Sequence, residues 1–233
     1  MAAGRPVVQF HGKWPFTRLA GAQEPLSVLF SLANLYAHAA GLRRLRRAVP
    51  ARYPARPYYA ALALVSCAAW ALSALFHTRD FALTERLDYF GAAASVLYGL
   101  YYTVVRLARL YRPGTPARPR PRRRAVLRLW TALCLALYAA HVGFLTLVRW
   151  DYTYNMAANV AVGVVQNALW TAYSVRRWRH THRAWAAWPG LAVAWVMMAM
   201  GLELFDFPPL WGALDAHSLW HAGTVAPAVL WYK

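Results

Sequence analysis

Seven stretches of this sequence contain no Asp, Glu, Lys or Arg and are apolar nearly all round: 25–42, 58–76, 89–105, 129–148, 156–175, 184–202 and 216–232. About 20 apolar residues cross the hydrocarbon core of a bilayer, and an unpaired charge inside one is expensive. A core helix of a soluble protein would show a polar face repeating every 3.6 residues. A segment such as Leu129–Val148 has no such face. The expected fold is therefore all-α: a polytopic membrane protein in which residues 25–233 form a seven-transmembrane helix bundle. Residues 1–24 precede it and hold no apolar core of signal-peptide length.

Charge placement predicts orientation. The chain has 233 residues, a net charge of +18, and 24 Arg against 2 Lys. Such a balance raises nucleic-acid binding as a reading. Twenty of the bases, however, fall in the first-to-second, third-to-fourth and fifth-to-sixth connections with their flanks and at Lys233, and only six on the other side. By the positive-inside rule the crowded side is cytoplasmic, which puts the N-terminus in the lumen and the C-terminus in the cytoplasm. The charge is then topology, and no nucleic-acid partner is expected. The tract Pro113–Arg124 is low in complexity and expected to be a disordered cytoplasmic loop near anionic lipid. Two cysteines, Cys67 and Cys134, exclude a disulfide-stapled module.

The chemistry-bearing residues gather at the luminal face. Ser73 and His77 are four apart at the end of the second span; Asp88 enters the third; His217 and His221 are four apart at the start of the seventh. Residues four apart share a helix face one turn apart, as paired metal ligands require. Three neutral imidazoles around Zn²⁺ with one position open make a catalytic rather than a structural centre, and water bound there ionises near pH ~7. Asp88 is placed to orient that water or take its proton. The Ser73 hydroxyl is placed to hydrogen-bond an attacked carbonyl oxygen, with direct nucleophilic attack as its rival role. The other intramembrane polar groups read as structural: His38 and His141 as hydrogen-bonded bundle residues, Asn155, Asn159, Gln166 and Asn167 as links between helices, and Glu203 and Asp206 as a cap and turn after the sixth span.

Four blocks of sequence carry a family likeness: Gln9-Phe-His-Gly-Lys-Trp-Pro-Phe16, Phe76-His-Thr-Arg-Asp80, Leu83-Thr-Glu-Arg-Leu-Asp-Tyr-Phe90 and Asp206-Phe-Pro-Pro-Leu-x-x-x-Leu-Asp-Ala-His217. From about Val8 onward the chain resembles the post-GPI-attachment to proteins factor 3 (Per-like) family. That family sits in a superfamily of seven-span hydrolases and receptors that includes alkaline ceramidases and the progestin and adipoQ receptors. The superfamily pattern maps onto Ser73, His77, Asp88, His217 and His221. The resemblance implies a lipid-remodelling enzyme of the Golgi membrane, or of the ER membrane in some lineages. Its implied reaction removes the sn-2 acyl chain of GPI-anchored proteins, a phospholipase A2-type step, with membrane lipids around it. It also implies a signal peptide and a cysteine-rich luminal region, neither of which is expected in residues 1–24. Two other readings share the core: a ceramidase-like amide hydrolase, and a non-enzymatic lipid receptor or chaperone whose zinc is structural.

Overall fold

The computed structural model describes residues 8–9, 14–112, 114–115, 118–119 and 121–233. Within them the chain forms seven α-helices: α1 (Pro25–Ala48), α2 (Arg56–Thr78), α3 (Ala82–Leu107), α4 (Pro121–Gly143), α5 (Tyr152–Thr181), α6 (Ala184–Phe205) and α7 (Ala216–Trp231). A π-helical turn, Phe144–Val148, extends α4. Apart from a two-residue antiparallel pairing of Gly114–Thr115 with Arg118–Pro119, the described chain is helical or loop. Each expected span lies within one helix, except that 129–148 runs on through the π turn and 216–232 ends one residue past α7. Four helices are long and apolar enough to cross a membrane: Pro25–Ala48, Arg56–Thr78, Pro121–Val148 and Ala184–Leu204. Several such helices are consistent with a multi-pass membrane protein.

Local sequence sets the helix ends. Pro25 and Pro57 stand in the first turns of α1 and α2, where the missing N–H costs no hydrogen bond. Asp151 caps α5 by accepting from Tyr154 N (3.0 Å), and Asp215 caps α7 by accepting from Ser218 N (2.8 Å) while Ser218 Oγ accepts from Asp215 N. The Tyr154 N–H, together with neighbouring Arg149, holds the Asp151 carboxyl below the usual range. The tract 113–124 divides: Pro121–Arg124 forms the first turn of α4 rather than a loop, Pro121 supplying the φ that a helix start needs. Pro113, Pro116, Ala117 and Arg120 lie outside the described residues, as do 1–7 and 10–13 of the N-terminal segment.

Neighbouring helices alternate in direction, so α1, α3, α5 and α7 begin at the end where α2, α4 and α6 finish. Six of them close a ring in the order α1–α2–α3–α5–α6–α7, and α4 lies outside it against α3. Large apolar side chains turn outward in quantity, Leu129, Leu147, Met198 and Leu204 among them. At the far end of the ring Tyr102, Trp170 and Val193 form an aromatic-rich core with Tyr58, Tyr59 and Trp231 packed on it. The near end, where α7 begins, is polar.

Candidate metal centre

At that near end α2 finishes and α7 starts, and their last and first turns face each other. His77 comes from the last turn of α2, while His217 and His221 sit one turn apart on α7. The expected three residues do meet: one ring nitrogen from each lies within 4.8 Å of the others. His77 and His221 are buried, and the His217 side chain is 35% exposed, so the cluster opens on the His217 side.

Each imidazole is held by its second nitrogen. His77 Nδ1 pairs with Glu24 Oε2 at 2.7 Å, and His217 Nδ1 with Glu203 Oε2 at 2.6 Å. A carboxylate only accepts, so these Nδ1 atoms carry the protons. In neutral rings the lone pairs are then on the Nε2 atoms, and His77 Nε2 and His217 Nε2 face each other at 3.2 Å. Two lone pairs so opposed repel, and a cation bound by both relieves the repulsion. His221 Nδ1 lies 3.0 Å from Ser31 Oγ and 3.3 Å from the carbonyl of Ser27. Donation to that carbonyl leaves its Nε2 free in the same way. The donor set therefore fits a metal ion that takes neutral imidazoles.

Electrostatics point the same way. Glu24, Glu203 and Asp215 all act on His217, and Asp88 is coupled to His77 and His217. A chain with a net charge of +18 thus spends four of its eight acids on one imidazole cluster.

The expected catalytic pair stands beside the histidines. Ser73 is buried one turn below His77, with its hydroxyl 3.2 Å from Ser31 Oγ. The half-buried Asp88 reaches the same place from α3, its carboxylate next to the Ser73 hydroxyl. His38 is a hydrogen-bonded bundle residue, with Nδ1 at 3.0 Å from Tyr232 OH. His141 stacks on Tyr154 beside Asn155 but leaves its Nε2 buried without a partner. Asn159 and Asn167 do make side-chain hydrogen bonds; Asn167 reaches α6 at Met197, while Asn159 stays within α5, on Asn155.

Sequence reasoning missed several members. Glu203 is a partner of His217 rather than only a cap for α6, because the turn Asp206–Asp215 folds the end of α6 back onto the start of α7. Asp206 does shape that turn: it accepts from Gln9 Nε2 (2.8 Å) and Trp14 Nε1 (2.7 Å), tying the N-terminal segment across it. Thr17 N adds a bond to Gly212 O (2.7 Å), and Glu24 N one to His77 O (3.0 Å). Residues 14–24 are therefore a strap over the centre, and Glu24 at its end supplies a side chain to it. On α1, Ser27, Ser31 and Asn34 are buried completely or nearly so, and Asn34 Nδ2 donates to His221 O at 2.8 Å. Their spacing, with His38, of four, three and four residues inside an apolar run is a one-sided polar stripe that was open to view in the sequence.

The sequence profile of the Per1-like family matches residues 1–233. The protein named Protein PER1 homolog of Schizosaccharomyces pombe is 43% identical over 223 residues, covering 94% of this chain and 64% of that protein. Proteins named GPI-specific phospholipase A2-like PGAP3 are 42% identical in Bos taurus and 40% identical in Homo sapiens, each over 99% of this chain and 68% of theirs. The chain thus spans about two thirds of the length of these relatives, and with its whole length matched it belongs to the Per1-like family.

Proposed function

We propose that this chain is a seven-span membrane hydrolase, N-terminus in the Golgi lumen, that removes the sn-2 acyl chain from GPI-anchored proteins using zinc held by His77, His217 and His221. The carrying observation is the convergence of three imidazoles, each with its Nδ1 already engaged and with the Nε2 atoms of His77 and His217 facing each other, and Ser73 and Asp88 alongside. The names of the relatives support GPI lipid as the substrate class. Three histidine donors also favour catalysis over a structural centre, which takes four protein ligands.

Zinc, when bound, supplies Lewis-acid polarisation of an oxygen and lowers the pKa of water. The chain's own residues do the rest. Glu24 and Glu203 fix the tautomer and tilt of two imidazoles, and the Ser27 carbonyl and Ser31 fix the third. Asp88 takes the proton of the attacking water and returns it to the glycerol oxygen as the ester C–O bond breaks, releasing a fatty acid and a lyso-GPI. Ser73, whose hydroxyl is hydrogen-bonded to Asp88 at rest, turns its proton to the acyl carbonyl oxygen as that oxygen gains charge. The partly exposed His217 marks where the ester enters, just below the headgroups.

The test is the acyl composition of GPI anchors in cells lacking the endogenous activity, read beside the zinc content of the purified protein. His217→Ala and His221→Ala are each expected to abolish remodelling and bound zinc while the protein still reaches the membrane. Normal remodelling by either variant overturns the metal reading. In the same assay Ser73→Ala is expected to retain residual activity; a total loss with zinc retained makes Ser73 the nucleophile.

A further inference from the structure

Below the histidines the six-helix ring holds a cavity of about 340 Å³ that is partly open to the outside. Its roof is made by residues that touch His221 itself: Trp70, whose ring meets the imidazole edge-on at 5.1 Å, and Asn34 and Thr224, which both donate to the His221 carbonyl. Its walls are chiefly apolar, with Leu62, Val96, Val160, Val193 and Met200 among them. Its floor includes His38 and Tyr232, hydrogen-bonded to each other at 3.0 Å. Along α7 and its C-cap the lining runs from Trp220 to Tyr232, twelve residue steps or about 18 Å.

Several polar groups on this lining are already engaged by the protein. Asn34 is satisfied by Phe30 O and His221 O, Asn159 by Asn155, Asn167 by Met197 Sδ, and Trp170 Nε1 by Thr103. Among the described residues, none of the buried polar atoms left without a partner belongs to the lining. A chiefly apolar, elongated cavity whose roof residues touch the metal-binding His221 suits a hydrocarbon chain. Its length also matches that of a bilayer acyl chain, since half of a hydrocarbon core is about 15 Å.

We infer that the cavity takes the acyl chain being cleaved and measures its length, the His38–Tyr232 pair acting as the stop. This rests on the hydrolase reading of the same site. Two positions, Tyr232 at the stop and Gly163 on the wall, set how much chain the cavity holds. Tyr232 is wedged against Gly41, where an added Cβ would lie 2.2 Å from its ring, so the ring is fixed in place. Gly163 lines the cavity and has open space where a Cβ would stand, so a larger side chain there protrudes into it.

The experiment offers the purified, reconstituted full chain GPI-anchored protein carrying a mixture of sn-2 chain lengths, and records the fatty acids released. In parallel, a fatty acid with a photoreactive group at its methyl end is crosslinked to the protein and the labelled residue mapped. Gly163→Leu is expected to shift the ratio of long to short chains released about tenfold towards short, and Tyr232→Ala to shift it towards long, as a few methylenes in an apolar pocket discriminate. The crosslink is expected next to Tyr232. A label at the floor with no acid released by the unaltered chain supports the acyl cavity while overturning the hydrolase. Release with an unchanged length profile in both variants, or a label outside the ring, overturns the gauge.

Discussion

Helices α1 and α4 both pass as membrane spans by length and composition, yet they bury different things. Among its buried residues α1 has Ser27, Ser31, Asn34, Ala37 and Gly41; α4 buries Cys134 alone and shows Leu129, Leu133, Leu135 and Leu137 to its surroundings. In water the pattern would be perverse. In lipid an apolar side chain gains nothing by turning inward, because hydrocarbon is as apolar as leucine. Interior positions then go to groups that need a partner and to residues small enough to let helices approach. Thus α1, wedged between α2 and α7, carries the polar stripe that holds His221, and α4, outside the ring, is free to be greasy on every side.

The largest effect expected from that contrast is at Asn34. Asn34→Leu keeps the volume but removes the donor to Phe30 O and His221 O. Leaving buried polar groups short of partners costs about 1–3 kcal/mol each. The thermal denaturation midpoint in detergent should fall by several degrees, whereas the reverse change on α4, Leu135→Asn, should leave the α1–α7 contact intact. Equal stability of Asn34→Leu and the unaltered chain would show that the stripe holds nothing together.

Much of this was legible beforehand. The uncharged runs marked all seven helices, because charge is the costliest thing to bury in lipid, and the four-residue spacings at Ser73/His77 and His217/His221 marked the facing turns. The ring itself was not legible: nothing in the apolar pattern of α4 distinguishes a helix inside the bundle from one outside it. Glu24 and Glu203 were missed for a related reason. Each lies at a helix end, where a carboxylate has an ordinary explanation, and only the strap 14–24 and the turn 206–215 bring them to the histidines. Acids are nonetheless scarce in this chain, and their gathering at one end of the bundle was a signal that the sequence did hold.

Glycines give the smaller and sharper comparison, since one substitution is expected to change sign between the two helices. At Gly41 on α1 a Cβ would lie 2.2–2.6 Å from three atoms of the Tyr232 ring. Gly41→Ala must push that ring aside and break its bond to His38, an overpacking cost of about 1–3 kcal/mol that outweighs the helix gain. At Gly143, where α4 passes into the π turn, φ is −59° and ψ −45°, and nothing lies within 4 Å of an added Cβ. Gly143→Ala therefore keeps the backbone it has and only narrows the unfolded chain, for a gain of about 0.4–1 kcal/mol. Denaturation midpoints of the two variants, measured side by side in one detergent, should move in opposite directions, with the Gly143 shift the smaller. A midpoint lowered by Gly143→Ala as well would mean that the end of α4 meets another surface, and the division between a ring and an outlying helix would have to be redrawn.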